Sequence, residues 1–133
     1  MYEVLVPVDD APDRALAQAR TLTDLPLEED VHVTVMHVFT GENVAGANVS
    51  QVASVRRARD HLEDHGIEVT LEESSGVPAE EILERARELD ADLLTLAGRQ
   101  RSPAGKLLMG SVSQDVLLGT DRPVLFCTKA SEE

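Results

Sequence analysis

Residues 93–114, LLTLAGRQRSPAGKLLMGSVSQ, contain no Asp or Glu and carry Arg99, Arg101 and Lys106, in a chain with 25 acids and a formal net charge of −13. Such a basic island in an acidic chain suits the binding of an anion. It also holds Gly98, Gly105 and Gly110, and Gly110-Ser111 leads into an apolar-periodic run. Glycines let a backbone approach a ligand closely, and a helix start presents unpaired amides with a favourable dipole. The chemistry expected here is phosphate binding by backbone N–H groups, assisted by arginine. A P-loop is excluded, because Gly105-Lys106 is followed by Leu107 and position 100 is Gln100 where that motif needs glycine.

The elements that must position this island are legible as periodicity. Val4 to Val8 is a nearly continuous apolar strand, and Asp9-Asp10-Ala11-Pro12 offers a helix cap, assigned to Asp10, with a proline for the first turn. Ala15, Leu16, Ala19 and Leu22 repeat on one helical face, and Val31, Val33, Val35, Met36 and Val38 form a second strand. After a small, polar loop over 40–50, a helix carries Val52, Val55, Ala58 and Leu62 and stops near Gly66. Ile67, Val69 and Leu71 alternate with polar residues, the pattern of a half-wet strand near a sheet edge.

Gly76-Val77-Pro78 turns the chain into a helix through Ile82, Leu83, Ala86 and Leu89, and Leu93, Leu94, Leu96 and Ala97 read as a strand buried on both faces. The island follows directly. Ser111 is the expected cap of the last helix, with Gln114 completing a capping box. Val124 to Cys127 is a last short strand, with Pro123 at its first position. Five strands alternating with four helices give one α/β domain over residues 1–133, an open parallel sheet with helices on both faces. With strand one central and the order 3-2-1-4-5, the switch point lies between strands one and four. Ligands in such sheets bind outside the carboxyl ends of the strands at that point. Those ends are Pro7-Val8-Asp9 and the island, so fold and charge indicate one crevice.

Val4 to Ala19 (VLVPVDDAPDRALAQA), His37-Val38, Gly76 to Ile82 (GVPAEEI) and Gly110-Ser111-Val112 leading to Arg122-Pro123-Val124 together resemble the universal stress protein superfamily. The resemblance covers nearly the whole chain and implies a Rossmann-like sheet and a stress-response role. That superfamily contains ATP-binding members and members that bind no nucleotide. Carried over residue by residue, Gly110, Ser111 and Val112 fall at the phosphates, Pro7, Asp9 and Val38 around the adenine, and Gly98 at the ribose. Val8, Ala97, Arg99, Arg101 and Ser113 complete the set. The ATP-binding pattern is Gly, two residues, Gly, nine residues, then Gly followed by Ser or Thr. Here Ala97 and Gln100 stand at its first two glycines.

The leading expectation is an adenine-nucleotide-binding sensor or switch, with ATP or another adenine nucleotide as ligand and Mg²⁺ as an optional companion. The alternative is a homodimeric regulator with a degenerate phosphate loop that binds a protein partner instead. No catalytic constellation is visible: Ser111 and Ser113 lack a histidine partner, so at most a weak ATP hydrolysis through a positioned water is expected. Asp9 suits an adenine amino group or a ribose hydroxyl. His37 reads as a satisfied core histidine, and His61 and His65, two ligands at most, are weak grounds for a metal.

The last strand, Val124, Leu125, Phe126 and Cys127, is apolar on both faces at a sheet edge, which invites pairing with a second copy. The resemblance implies the same homodimer. Acids outnumber bases about two to one and ten of the twelve bases are arginine, a balance like that of halophile proteins, and one that disfavours nucleic acid as a partner. The lone Cys127 forms no internal disulfide. The chain opens directly into YEVLVPV and has no apolar run of membrane-spanning length, so a cytoplasmic, membrane-free protein is expected.

Overall fold

The computed structural model describes residues 1–27, 30–40, 48–98 and 109–128. Its elements alternate as the apolar periods require: β1 (Tyr2–Pro7), α1 (Pro12–Thr23), β2 (Val31–Phe39), a short 3-10 turn (Val49–Gln51), α2 (Ala53–Asp64), β3 (Glu68–Ser75), α3 (Pro78–Leu89), β4 (Leu93–Ala97), α4 (Ser111–Gly119) and β5 (Val124–Cys127). The strands form one parallel sheet in the order β3-β2-β1-β4-β5, the expected 3-2-1-4-5.

Alternation along the strands divides the core between the two faces. Val4, Val6, Val33 and Val35 pack under Ala15, Ala19 and Leu22 of α1 and Val55, Ala58 and Leu62 of α2. Leu5, Met36, Leu94 and Leu96 pack under Ala79, Ile82 and Ala86 of α3 and Val116 of α4. With almost no aromatic volume, the helices approach through alanines, and each fully buried Leu or Val contributes roughly 1.5–3 kcal/mol of transfer free energy. Gly119 carries this furthest, because a Cβ there would meet Leu83 Cδ1 at 2.8 Å. Gly66, at φ +76°, turns α2 into β3 through the left-handed region.

β4 is buried on both faces and β3 is half-wet, as the sequence predicts. β5 differs slightly: Pro123 stands just before it, where its carbonyl accepts from Leu94 N–H. Val124 and Phe126 face the α3/α4 layer, Leu125 the α1/α2 layer, and all three are only half-buried. Cys127 is enclosed, and burial pushes its thiol up from 9.0 to about 11. Among the described residues no helix is long and apolar enough to cross a membrane.

Two expected caps are not made. Pro12 fixes the first position of α1, so Ala11 becomes the cap residue and Asp10 lies outside the helix, almost wholly exposed. The turn is held instead by Asp9, which accepts from Ala11 N–H at 2.9 Å and from Arg14 Nε at 2.8 Å. In α4 the extended Gly110 (φ −72°, ψ 162°) takes the cap position, so Ser111 is the first helical residue and no side chain caps the helix. The expected capping box is absent, and Gln114 N–H simply donates to Gly110 C=O at 2.9 Å.

A crevice at the carboxyl ends of β1 and β4

The crevice opens where β1 loses contact with β4. In β1, Tyr2 and Val8 N–H donate toward the β2 side, whereas Glu3 C=O accepts from Asp92 beside β4. By alternation, position 7 also faces β4. Proline occupies it and has no N–H to offer, so the β1–β4 pairing, registered at Val4 and Leu5, does not continue through Pro7. The gap is bridged by Gln18 of α1, whose Nε2 donates to Pro7 C=O at 2.8 Å and to Thr95 Oγ1 at 3.0 Å. Gln18 falls at the i+3 position of the Ala15, Ala19, Leu22 face and is only 1% exposed. A polar residue on an otherwise apolar stripe is the signal that sequence reading passed over.

Above this bridge lies a cavity of about 270 Å³, lined by six elements. The β1 end and its turn supply Pro7, Val8, Asp9 and Asp10; α1 supplies Arg14 and Gln18; β2 supplies Met36, His37 and Val38, followed by Thr40. Pro78 and Ile82 of α3, Leu96 and Ala97 of β4, and Gly110, Ser111, Val112 and Ser113 at the start of α4 close the other side. The structure therefore brings together Pro7, Val8, Asp9, Val38, Ala97, Gly110, Ser111, Val112 and Ser113. Gly98 stands apart: its N–H is spent on Cys127 C=O at 3.0 Å, and it does not line the cavity. Arg99 and Arg101, with Gln100, Gly105 and Lys106, lie outside the described residues.

The start of α4 forms the donor-bearing wall. The amides of Ser111, Val112 and Ser113 precede the first intrahelical hydrogen bond and have no capping side chain, and the first turn contains no acid. Ser113 Oγ donates to Ala97 C=O at 3.0 Å, which pins the helix to the end of β4. This fixes the amides relative to the sheet before any ligand arrives. Across the cavity the walls are polar in a different way. Asp9 is engaged by Ala11 and Arg14, while the His37 ring is buried, its Nδ1 donating to Val8 C=O at 2.9 Å and its ring in a T-shaped contact with Phe39. One end of the crevice thus offers donors to an anion, and the other offers acceptors and apolar surface, from Val8, Met36 and Val38, to a flat polar group.

His61 and His65 perform local tasks elsewhere. His61 Nε2 lies 2.9 Å from Thr23 Oγ1, and His65 Nδ1 bonds His61 C=O at 2.9 Å. Burial first, then the nearby His65, lowers the His61 pKa. No group of three or more metal-ligating side chains occurs among the described residues.

Comparisons with known proteins agree with this architecture. The family model described as "Universal stress protein family" matches residues 1–128. A universal stress protein of Mycolicibacterium smegmatis is 36% identical over 97 residues, spanning 72% of this chain and 75% of that protein. A universal stress protein structure from Archaeoglobus fulgidus superposes with a TM-score of 0.79 at 27% identity, covering 96% of this chain and 98% of that one. A structure from the same organism in complex with dAMP superposes at 0.69 with 22% identity, over 96% and 98% of the two chains. The fold, the crevice and the match along nearly the whole sequence place this chain in the universal stress protein family.

Proposed function

We propose that this chain is an adenine-nucleotide-binding stress-response module that acts as a sensor or switch. The observation that carries the reading is the pairing, in one cavity, of uncapped α4 amides with an apolar, acceptor-lined wall supplied by the ends of β1 and β2. A nucleotide has the matching asymmetry, with an anion at one end and a planar base at the other. The dAMP-bound relative from Archaeoglobus fulgidus supports the same ligand class. In this reading Gly110, Ser111, Val112 and Ser113 hold phosphate, and Pro7, Val8, Met36 and Val38 hold the base. Arg99, Arg101 and Lys106 are in sequence reach to add charged hydrogen bonds to further phosphates, with or without Mg²⁺, which makes ATP as well as AMP a ligand. Binding then alters the surface shown to a protein partner.

The test is calorimetric titration of AMP and of ATP, with and without Mg²⁺, in molar KCl, where the Debye length is about 3 Å and the −13 net charge no longer repels the ligand at a distance. Saturable one-to-one heat for either nucleotide is the expected result. Absence of heat and of any thermal shift at millimolar nucleotide overturns the reading.

One observation favours a second role. The three half-buried apolar residues of the edge strand, Val124, Leu125 and Phe126, suit a homodimer through β5. Leu125→Glu is expected to give monomers by light scattering, and a dimer that survives it uses another surface.

A further inference from the structure

Three consecutive carbonyls carry the chain out of β1, and each is held by a side chain from a different element. Pro7 C=O accepts from Gln18 Nε2 of α1 at 2.8 Å, Val8 C=O from His37 Nδ1 of β2 at 2.9 Å, and Asp9 C=O from Ser54 Oγ of α2 at 2.5 Å. Gln18, His37 and Ser54 are 1%, 6% and 0% exposed. The His37 bond needs only a proton on Nδ1, which the ring holds there in either charge state. A strand that has outrun its neighbour must find partners for its backbone polar groups, and here they come from three buried side chains.

A trans peptide is planar, with each N–H opposed to the C=O before it, so holding these carbonyls also sets the amides that follow them. The first pair shows the rule. Pro7 C=O turns to the β4 side, and Val8 N–H turns the other way, to Met36 C=O of β2 at 2.8 Å. Val8 C=O in turn faces His37 of β2, so Asp9 N–H is directed away from β2, over the gap where β1 and β4 have parted. Asp9 spends its carboxylate on Ala11 N–H and Arg14 Nε and its carbonyl on Ser54, whereas its N–H donates to no acceptor among the described residues. We propose that Gln18, His37 and Ser54 are positioning residues that hold the β1–α1 turn ready for its ligand, with Asp9 N–H presented as a donor to an acceptor atom of the bound nucleotide. This rests on the proposed nucleotide binding and deepens it, by adding a fixed donor to the wall opposite the α4 amides. A turn ordered beforehand does not have to be ordered on binding.

Ser54 is the informative member, because it does not line the cavity and reaches the ligand only through Asp9. The experiment titrates AMP by calorimetry in molar KCl into the parent chain, Ser54→Ala and His32→Leu, and follows the Asp9 amide by nitrogen-15 NMR in the same samples. His32→Leu is the control for a general loss of stability, since it removes buried hydrogen bonds to Glu3 and Thr70 at the far end of β2. Ser54→Ala is expected to bind AMP about five- to tenfold more weakly than the parent, the scale of one hydrogen bond, while His32→Leu binds it as the parent does. In the parent the Asp9 amide proton should move downfield as AMP saturates. In free Ser54→Ala the same resonance should broaden as the turn samples other forms, and sharpen again with AMP bound.

Parent-like affinity in Ser54→Ala overturns this inference and leaves the nucleotide reading standing. So does an equal loss of affinity in His32→Leu, because the effect would then be softening of the whole sheet. An Asp9 amide in the parent that AMP binding leaves unmoved also overturns it, and that result needs no variant to fold. Failure of the parent to bind AMP overturns both.

Discussion

The two histidines of β2 sit at opposite ends of one strand and live in opposite circumstances. His32, at the amino end of the sheet, has both ring nitrogens occupied: Nδ1 lies 2.9 Å from Glu3 Oε2 and Nε2 2.7 Å from Thr70 Oγ1. Close by, Glu3 N–H donates to Asp92 Oδ2 and Asp92 N–H to Glu3 C=O, at 2.9 and 2.8 Å. That end is closed by its own side chains. At the carboxyl end, His37 has Nδ1 bonded to Val8 C=O and Nε2 3.5 Å from the exposed Asp10, across the cavity from helix amides without a cap. The difference teaches that polar groups inside a fold finish their own business where only stability is at stake. At the carboxyl end the first amides of α4 have no such partners.

The largest effect expected from this contrast comes from closing the open end. Ser111→Asp places a carboxylate at the first position of α4, where it stabilises the helix dipole and occupies the place of the anion. Nucleotide affinity should fall by about a hundredfold, because like charges at contact distance cost a few kcal/mol, while the melting temperature holds or rises. Loss of both binding and stability would refute the assignment of this helix start to phosphate. A smaller effect is expected from Gln18→Leu, which fits the apolar stripe but leaves Pro7 C=O and Thr95 Oγ1 without the amide. An unpaired buried acceptor costs roughly 1–3 kcal/mol, so chemical denaturation should show that loss, with a weaker affinity as β1 and β4 lose their bridge. The smallest is at the closed end. His32→Leu should lower stability by about 1 kcal/mol and leave nucleotide affinity unchanged, and any change in affinity would break the division of labour between the two ends.

These contrasts were unequally legible in the sequence. The sheet order, the two-faced burial of β4 and the wet edge at β3 follow from periods of 2.0 and 3.6, which long-range packing reinforces. The caps were misread because capping depends on a single dihedral. Pro12 draws the helix start to itself and displaces Asp10, and an extended Gly110 shifts Ser111 by one position. Nine of the expected site residues line the cavity, since motif and switch point act together. Gln18 escaped because its meaning lies in a contact across 77 positions of chain, which no local pattern records. His37 was read as a satisfied core histidine, and that holds for one of its nitrogens.

The sheet has two edges, and they are unlike. β3 turns Glu68, Thr70, Glu73 and Ser75 to solvent, whereas β5 offers Val124, Leu125 and Phe126 half-covered. Charges along a free edge repel a further strand, and an apolar edge welcomes one. Growth is therefore permitted on one side only. Two copies that met through β5 would each present a carboxylate-bearing rim outward, so the assembly would terminate itself at a finite ten-stranded layer instead of running on into a filament.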